Sequence, residues 1–316
     1  MCTGYQDPRP TDMKALMGRR GFLKGVGGAV ALGATGAFTG AAAAATTERV
    51  SPRQISIQLY TLRELMNEDL EGVFAALRDI GYRKVEHAGF HGRSAKQFKA
   101  ALDKHGLRST SGHQGIPYPY DRAAWQQTIN DALVLGQRRI VVPAGPPVSS
   151  SGFFSNRDPD SMTPPTRAEF TEYAHALNQA GAVAHRNGMR LGYHNHNWEF
   201  LPMADDPLST GYEVLLEETD PELVHFEMDI YWVWKAEQDP VPVLRAHRSR
   251  FQQFHVKDMD EEGNFEDPGK GVINFARVFR AAGVRMNEYI VERDDAGQDA
   301  LRTAQIGYRY LSRIDF

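Results

Sequence analysis

The sequence has almost no cysteine, since Cys2 is the only one in 316 residues. One thiol at the start of the chain excludes an internal disulfide and a thiolate metal site in the rest of the protein. The chain does contain 11 histidines and 40 acidic residues. Any bound metal is therefore expected to be held by imidazole and carboxylate groups.

The sequence also lacks an excess of positive charge, because its formal net charge is −4 at pH 7. Residues 1–45 hold five basic and two acidic side chains, a charge of +3, so the remaining residues carry −7. Proteins bind nucleic acids through clustered Lys and Arg. We therefore expect no nucleic-acid partner.

No hydrophobic run is long enough to cross a membrane as a helix. The weakly apolar stretch Val26 to Phe38 is shorter than the roughly 20 residues that a spanning helix needs. It follows Arg19-Arg20 and precedes the alanine run Ala41 to Ala45, an order typical of a twin-arginine export signal. The sequence predicts that residues 1–45 are this signal and are cleaved, and that residues 46–53 are a linker. The protein is then periplasmic or extracellular, without a stable membrane anchor.

No glycine-rich dinucleotide fingerprint follows the first predicted strand, which argues against an open nucleotide-binding sheet. From residue 54 onward, short β-branched runs alternate with segments of helical period, as in parallel strands joined by helices. Eight strands are predicted, at Gln54 to Tyr60, Lys84 to His87, Arg108 to Gly112, Arg139 to Pro143, Arg190 to His194, Val224 to Asp229, Gln252 to Lys257 and Glu288 to Glu292.

Helical segments between these strands complete eight strand-helix units. Several end at a glycine, which can adopt the left-handed conformation that closes a helix. Eight units in residues 54–316 predict an α/β fold with a single domain, a (β/α)8 TIM barrel. The long insertion Ala144 to Pro165 is rich in Pro, Ser and Gly and is predicted to be a lid. The predicted helices are Asp69 to Ile80, Ala95 to His105, Ala123 to Leu135, Arg167 to Asn187, Ile273 to Ala282 and Ala300 to Ser312.

Polar residues stand at or near the carboxyl ends of the predicted strands, where barrels of this kind carry their functional groups. Taken singly, such a residue is more often satisfied by its neighbours or caps a helix. The candidates are Gln58, Glu86, His113, His194, His196, Glu199, Asp229, His255, Lys257 and Glu292.

Asp229, His255 and Glu292 are the strongest group, because each ends one of three consecutive short apolar strands. Buried carboxylates this close together repel one another unless a cation lies between them. Carboxylate oxygens with one imidazole suit Mn, Mg, Co or Zn. We expect one divalent metal at this place.

Four segments resemble the xylose-isomerase-like TIM barrel superfamily, in particular its sugar phosphate isomerase/epimerase group and a subgroup with the motif HNHxxEF. The resemblance covers residues 54–316. Members of the ketose epimerase type bind one metal through a Glu on strand five, an Asp on strand six, a His on strand seven and a Glu on strand eight. This implies Asp229, His255 and Glu292 as ligands here. The four segments are LGYHNHNWEF (191–200), FEMDIYWVW (226–234), FHVKDMD (254–260) and YIVERD (289–294).

The chain departs from these epimerases at strand five, where His194 stands in the place of their Glu. Glu199, five residues on, is favoured over His194 as the fourth ligand, because the resemblance implies a ligand set of three carboxylates and one histidine. His194 or His196 is then the expected base, Lys257 the stabiliser of an enolate oxygen, and Glu292 a second proton carrier. The expected substrate-binding residues are Gln58, Glu86, His113 and Trp232.

The resemblance implies a small carbohydrate substrate and a metal-dependent isomerase or epimerase that transfers a proton next to a carbonyl through an enediolate. A lyase or dehydratase that acts on 3-keto-glycosides by the same chemistry is the first alternative. A non-catalytic exported barrel that binds sugar on Trp198, Trp232 and Trp234 is the second. A nuclease of this barrel type is disfavoured, because Trp232 replaces the histidine that such enzymes place after the strand-six Asp. A homo-oligomer is compatible with the sequence.

Overall fold

The computed structural model describes residues 48–145, 165–283 and 286–316. Short β-branched segments form the eight strands of the barrel sheet, and four of them, β2, β3, β5 and β6, have the bounds predicted from the sequence. The strands are β1 Ile55–Gln58, β2 Lys84–His87, β3 Arg108–Gly112, β4 Arg139–Val142, β5 Arg190–His194, β6 Val224–Asp229, β7 Phe251–Val256 and β8 Glu288–Val291.

The eight strands are parallel and lie in the order β3-β2-β1-β8-β7-β6-β5-β4. Their register brings Asp229 beside His255, and Ile290 beside the same histidine. β3 and β4 are joined by a bridge between His113 and Val141, supported by a hydrogen bond of 2.9 Å from the Gln114 N–H to the Val141 carbonyl. The sheet is thus a nearly closed barrel, which confirms the predicted fold class.

Helices follow the strands and cover the outside of the barrel. A capping box starts α2, where Ser94 and Gln97 each accept the other's backbone N–H. Asp69, the predicted start of α1, lies inside the helix at a kink and accepts the Gly72 N–H at 2.9 Å. The helices are α1 Arg63–Ile80, α2 Ala95–Lys104, α3 Arg122–Leu135, α4 Arg167–Arg186, α5 Gly211–Glu218, α6 Ile230–Lys235, α7 Pro240–Ala246, α8 Phe275–Ala282 and α9 Ala300–Leu311.

The two faces of the sheet carry different side chains because residues alternate along a strand. Phe226 and Phe254 point outward, are fully buried, and pack against the helices, as in the 5.7 Å contact between the rings of Phe254 and Phe279. The neighbouring residues Glu227 and His255 point into the barrel, where they are also fully buried. The apolar core therefore lies between barrel and helices, and the interior of the barrel is polar.

Two sequence-based predictions fall outside the described residues. The predicted export signal, residues 1–45, lies entirely outside them. Residues 146–164, which make up most of the predicted lid, also lie outside them. Within the described ranges, no helix has both the length and the apolar character that crossing a membrane would take.

Candidate active site

Alternation along three neighbouring strands places the polar side chains of the site. On β6, Glu227 and Asp229 are two residues apart and point inward, and on β7 the same spacing separates His255 from Lys257, just beyond the strand. Glu292 follows the last residue of β8. All are at most 3% exposed. Adjacent parallel strands therefore bring them together at the carboxyl end of the barrel.

Four side chains form a group that we call the mouth cluster: His194, Asp229, His255 and Glu292. One nitrogen or oxygen atom from each lies within 4.8 Å of the others. His255 Nδ1 is 2.7 Å from Glu292 Oε2, and His194 Nε2 is 3.8 Å from Asp229 Oδ2. These are two imidazoles and two carboxylates from β5, β6, β7 and the end of β8.

A second, overlapping group lies around Glu227. Its Oε1 is 3.0 Å from His113 Nε2, 3.1 Å from His194 Nδ1 and 2.9 Å from His255 Nε2. One carboxylate oxygen thus faces three imidazole rings. His194 and His255 belong to both groups and direct opposite ring nitrogens at them.

Lys257 provides the positive charge of the site. Its Nζ lies 3.0 Å from Asp229 Oδ2, 2.7 Å from Glu292 Oε2 and 3.0 Å from Asp294 Oδ1. The ammonium also lies 5.3 Å from the centre of the Trp232 ring. Lys257 is therefore held among carboxylates and against an aromatic face at the predicted position.

Three of the predicted substrate-binding residues are committed to contacts inside the barrel. The Gln58 side chain donates to Glu86 Oε1 at 2.9 Å, and Ser111 donates to the other oxygen of Glu86. His113 Nε2 lies 3.1 Å from the same Glu86 Oε1. Gln58 and Glu86 are fully buried. The structure brings these residues together, but it places Gln58 and Glu86 beneath the metal-type side chains rather than at the surface of the mouth.

His196 and Trp232 lie at the edge of the mouth cluster. The His196 ring stacks on Trp198 with centroids 4.1 Å apart and lies 5.3 Å from the Trp232 ring. Neither His196 Nδ1 nor Trp232 Nε1 has a hydrogen-bond partner within the described residues. Both atoms are buried, so their hydrogen-bonding capacity is left unused within this part of the structure.

Glu199, the favoured fourth ligand, does not reach the mouth cluster. It lies in a 3₁₀ turn, Trp198–Phe200, and its carboxylate bonds to nearby parts of the chain. Its Oε1 accepts the Tyr193 hydroxyl hydrogen at 2.7 Å and its Oε2 accepts the His196 N–H at 2.8 Å. His194, rather than Glu199, lies with Asp229, His255 and Glu292. Burial also raises the pKa of Glu199 to about 7.

Burial and neighbouring charges shift the pKa values of the site in different directions. Burial raises the pKa of Asp229 to about 6 although Lys257 opposes this. Burial alone would lower the pKa of His113, but Glu86 and Glu227 raise it to about 9. Burial lowers the pKa of His196 well below its usual value, which keeps this imidazole neutral near pH 7.

Two observations show that the residues of the site fit a divalent cation. Oxygen and imidazole nitrogen donors without thiolates are the set that Mn and Zn accept. Glu227 Oε2 and Asp229 Oδ2 are buried and accept no hydrogen bond within the described part of the chain, although Lys257 lies 3.0 Å from Asp229 Oδ2. Buried carboxylate oxygens without hydrogen bonds are costly unless a cation compensates them. Either group could supply the ligands.

Sequence reasoning missed Glu227 and Asp294. Both carry a readable signal, since each lies two residues from a predicted site residue and so faces the same side of the chain where it is extended. Glu227 precedes Asp229 by two positions, and Asp294 follows Glu292 by two. Their roles depend on contacts with other strands, which spacing alone does not reveal.

A barrel with metal-type side chains at the carboxyl ends of its strands is typical of metal-dependent enzymes, and the comparisons identify the family. The family model of the xylose isomerase-like TIM barrel matches residues 74–305, and the chain belongs to this family. An inosose dehydratase of Geobacillus kaustophilus is 24% identical over 293 residues, which cover 79% of this chain and 91% of the relative. An inosose dehydratase of Salmonella typhimurium is 27% identical over 172 residues, about half of each protein.

Solved structures share the fold at low identity. A sugar phosphate isomerase/epimerase from Parabacteroides distasonis has a TM-score of 0.67 at 24% identity, covering 87% of this chain and 97% of that one. The IOLI protein, solved with a zinc atom bound, has a TM-score of 0.60 at 13% identity, covering 82% and 98%. The 3-keto-D-glucoside 4-epimerase of E. coli has a TM-score of 0.60 at 18% identity, with the same coverage. These structures show the same fold. The inosose dehydratases among the relatives by sequence confirm the expectation of an enzyme with isomerase, epimerase or lyase activity.

Proposed function

We propose that this protein is a divalent-metal-dependent enzyme that removes the proton next to the carbonyl of a small keto-carbohydrate and returns it elsewhere, as an isomerase or epimerase. The observation that carries the proposal is the mouth cluster, His194, Asp229, His255 and Glu292, with Lys257 in contact with its carboxylates. We propose these four side chains as the metal ligands, with His194 in place of Glu199. The zinc in the IOLI protein supports a metal in this fold.

A bound divalent ion would act as a Lewis acid that makes the C–H next to a carbonyl more acidic. His196 is the proposed base, because its neutral imidazole lies at the edge of the cluster and its Nδ1 has no partner in the described structure. Lys257 stabilises the negative charge that develops on the substrate oxygen. Trp232 and the stacked pair of His196 and Trp198 offer flat surfaces for the apolar face of a sugar ring.

Dehydration is the second candidate function, and the similarity to inosose dehydratases favours it. The first step is the same proton removal by His196. The enolate then expels the hydroxyl group on the next carbon, and the protonated His196 gives its proton to that hydroxyl, so that water leaves. An imidazole can perform both transfers near pH 7. The substrate class is a cyclic keto-polyol or a 3-keto-glycoside.

Proton exchange and product analysis test both functions together. The purified protein, loaded with Mn or Zn, is incubated in deuterated water with keto-sugars, inososes and 3-keto-glycosides, and the products are followed by NMR. Deuterium next to the carbonyl with an epimer or isomer supports the first function, and an unsaturated ketone supports the second. Sugar binding that survives chelator, with neither exchange nor product on any substrate, would leave the non-catalytic barrel in their place.

We also propose that the protein is exported by the twin-arginine route. Arg19-Arg20 and the short apolar segment behind it support this. Replacing both arginines with lysine should retain the protein in the cytoplasm, measured by fractionation with an antibody against the barrel. Equal distribution of both forms would contradict export by this route.

A further inference from the structure

Glu227 is a buried acidic residue that the proposed reaction does not use. It lies on β6, two residues before Asp229, and its side chain is fully buried. Its Oε1 lies 3.1 Å from His194 Nδ1 and 2.9 Å from His255 Nε2. The other nitrogen of each ring faces the mouth carboxylates, with His255 Nδ1 2.7 Å from Glu292 Oε2. Both shared histidines therefore stand between Glu227 and the mouth.

A carboxylate accepts hydrogen bonds and cannot donate them, so a ring nitrogen at hydrogen-bond distance from it carries the hydrogen. A neutral imidazole has one N–H and one lone pair, and fixing the hydrogen on one nitrogen places the lone pair on the other. Glu227 therefore favours the tautomer in which His194 Nε2 presents its lone pair to the mouth. The tautomer of His255 is not decided in this way, because both of its ring nitrogens lie within hydrogen-bond distance of carboxylates. Carboxylates that accept the second N–H of a histidine ligand orient the ring and strengthen its bond to the metal.

The distances around His194 decide which side of its ring carries the hydrogen. The Nδ1 side lies 3.1 Å from Glu227, which is a hydrogen-bond distance, whereas the Nε2 side lies 3.8 Å from Asp229, which is too long for one. Two ligands on either side of an ion are naturally this far apart. The alternative, an ion bound directly by Glu227, would use the nitrogens that now face Glu227.

We propose that Glu227 is a positioning residue that fixes the tautomer of His194 so that its Nε2 lone pair points to the mouth cluster. The inference rests on the proposed metal site. It adds a carboxylate that acts through His194 and touches neither the ion nor the substrate. His113, whose Nε2 lies 3.0 Å from the same oxygen, holds Glu227 in place from β3.

The test measures metal binding rather than turnover. Zinc and manganese affinity and stoichiometry are determined by chelator competition for the wild type, Glu227→Gln and Glu227→Leu. The matched control is Glu288→Gln, a fully enclosed carboxylate at the start of β8 that accepts from Thr110 at 2.7 Å. We expect one ion per chain in the wild type, affinity about 10- to 100-fold weaker in Glu227→Gln, weaker still in Glu227→Leu, and no such loss in the control.

The tautomer of His194 gives a second measurement that needs no variant. In the zinc-loaded wild type labelled with ¹⁵N-histidine, NMR should find the hydrogen of His194 on Nδ1. A hydrogen on Nε2 of His194 overturns the inference, even if the variants fail to fold. Unchanged metal affinity in folded Glu227→Gln also overturns the inference. A wild type that binds two ions, one of which Glu227→Gln no longer binds, overturns it as well. A wild type that binds no ion defeats the proposed function itself, a different result.

Discussion

Two buried histidines on opposite sides of the same sheet have opposite charge preferences. His87, the last residue of β2, faces the helices and packs against the rings of Phe90 and Phe98 at 5.0 and 6.0 Å. Burial lowers its pKa to about 4. His255, near the end of β7, faces the interior, where Glu227 and Glu292 overcome the effect of burial and raise its pKa well above the usual value. Both side chains are at most 1% exposed.

The difference shows that burial alone does not distinguish a structural histidine from a functional one in this barrel. The face of the sheet on which the histidine lies does. An outward histidine needs only to stay neutral and fill space. The inner face instead concentrates carboxylates that would destabilise the protein unless cations compensate them. Such a concentration contributes little to stability, so its natural use is to bind a cation or substrate. The following substitutions separate the two regions, beginning with the strongest expected effect.

Asp229→Asn should abolish the activity of the inner cluster. Asparagine keeps the side-chain oxygen that accepts the Trp232 N–H at 3.2 Å, so α6 keeps its cap while the cluster loses a charge. Loss of a residue that hydrogen-bonds a metal ligand weakens metal binding by about 10- to 100-fold. Loss of a direct ligand should therefore weaken it by more than about 100-fold. Turnover should fall by at least a similar factor, measured by deuterium exchange into the substrate.

The matched control for this change is Asp239→Asn. Asp239 caps α7 through the Val241 N–H at 3.0 Å and forms an exposed ion pair with Arg277, outside the mouth cluster. Its loss should cost less than about 1 kcal/mol of stability and leave metal affinity as it is. Equal metal affinity in Asp229→Asn and Asp239→Asn would remove Asp229 from the ligand set.

His196→Ala tests the proposed base without touching the ligands. General bases contribute about 100- to 10,000-fold, so turnover should fall by at least about 100-fold. Metal affinity should stay within about twofold, because His196 is neither a proposed ligand nor a proposed partner of one. Loss of a residue that hydrogen-bonds a ligand weakens metal binding by about tenfold or more. His175→Ala, an exposed histidine on α4, is the control. Turnover intact in His196→Ala would exclude this residue as the base and leave Glu292, the expected second proton carrier, as the candidate.

His87→Leu sharpens the comparison from the outer side. The folded pKa of His87, about 4, lies below the usual 6.5, so the unfolded chain takes up a proton first as the pH falls. The contribution of neutral His87 to the free energy of unfolding is complete above pH 6.5. It is lost as the pH falls from 6.5 to 4, by about 3 kcal/mol at most. The leucine variant should lose that much less over the same range, measured by urea unfolding at each pH. The difference at pH 8 gives the change in packing. Parallel pH profiles would show that His87 is not buried in the neutral form.

The sequence was a good guide to the barrel and a partial guide to its site. The sequence pattern predicted β2, β3, β5 and β6 with their observed bounds, because side chains alternate along a strand and polar residues stand at the strand ends. It did not reveal α5, α6 and α7, which have six to eight residues and so offer at most two turns of a helical period. It did reveal α8, which has eight residues. Which polar residues meet across strands depends on register.

Glu199 illustrates the part of the site that spacing could not decide. The family resemblance made a carboxylate attractive at strand five, and Glu199 was near enough along the chain. A 3₁₀ turn and the hydroxyl of Tyr193 draw it away instead. Local turn geometry of this kind is set by hydrogen bonds to backbone and to a residue six positions earlier, so it becomes visible only in three dimensions.

Glu199→Gln should therefore have the smallest effect on metal binding, within about twofold, because Glu199 lies outside both groups of metal-type ligands. His194→Gln, the matched change at the competing position, should weaken binding by more than about 100-fold, beyond the range of second-shell losses. Chelator competition with zinc measures both. The reverse order of effects would return the carboxylate to strand five and move His194 to the substrate side. In that case the turn at Trp198–Phe200 would have to open on metal binding, because Tyr193 and the His196 N–H now occupy both oxygens of Glu199.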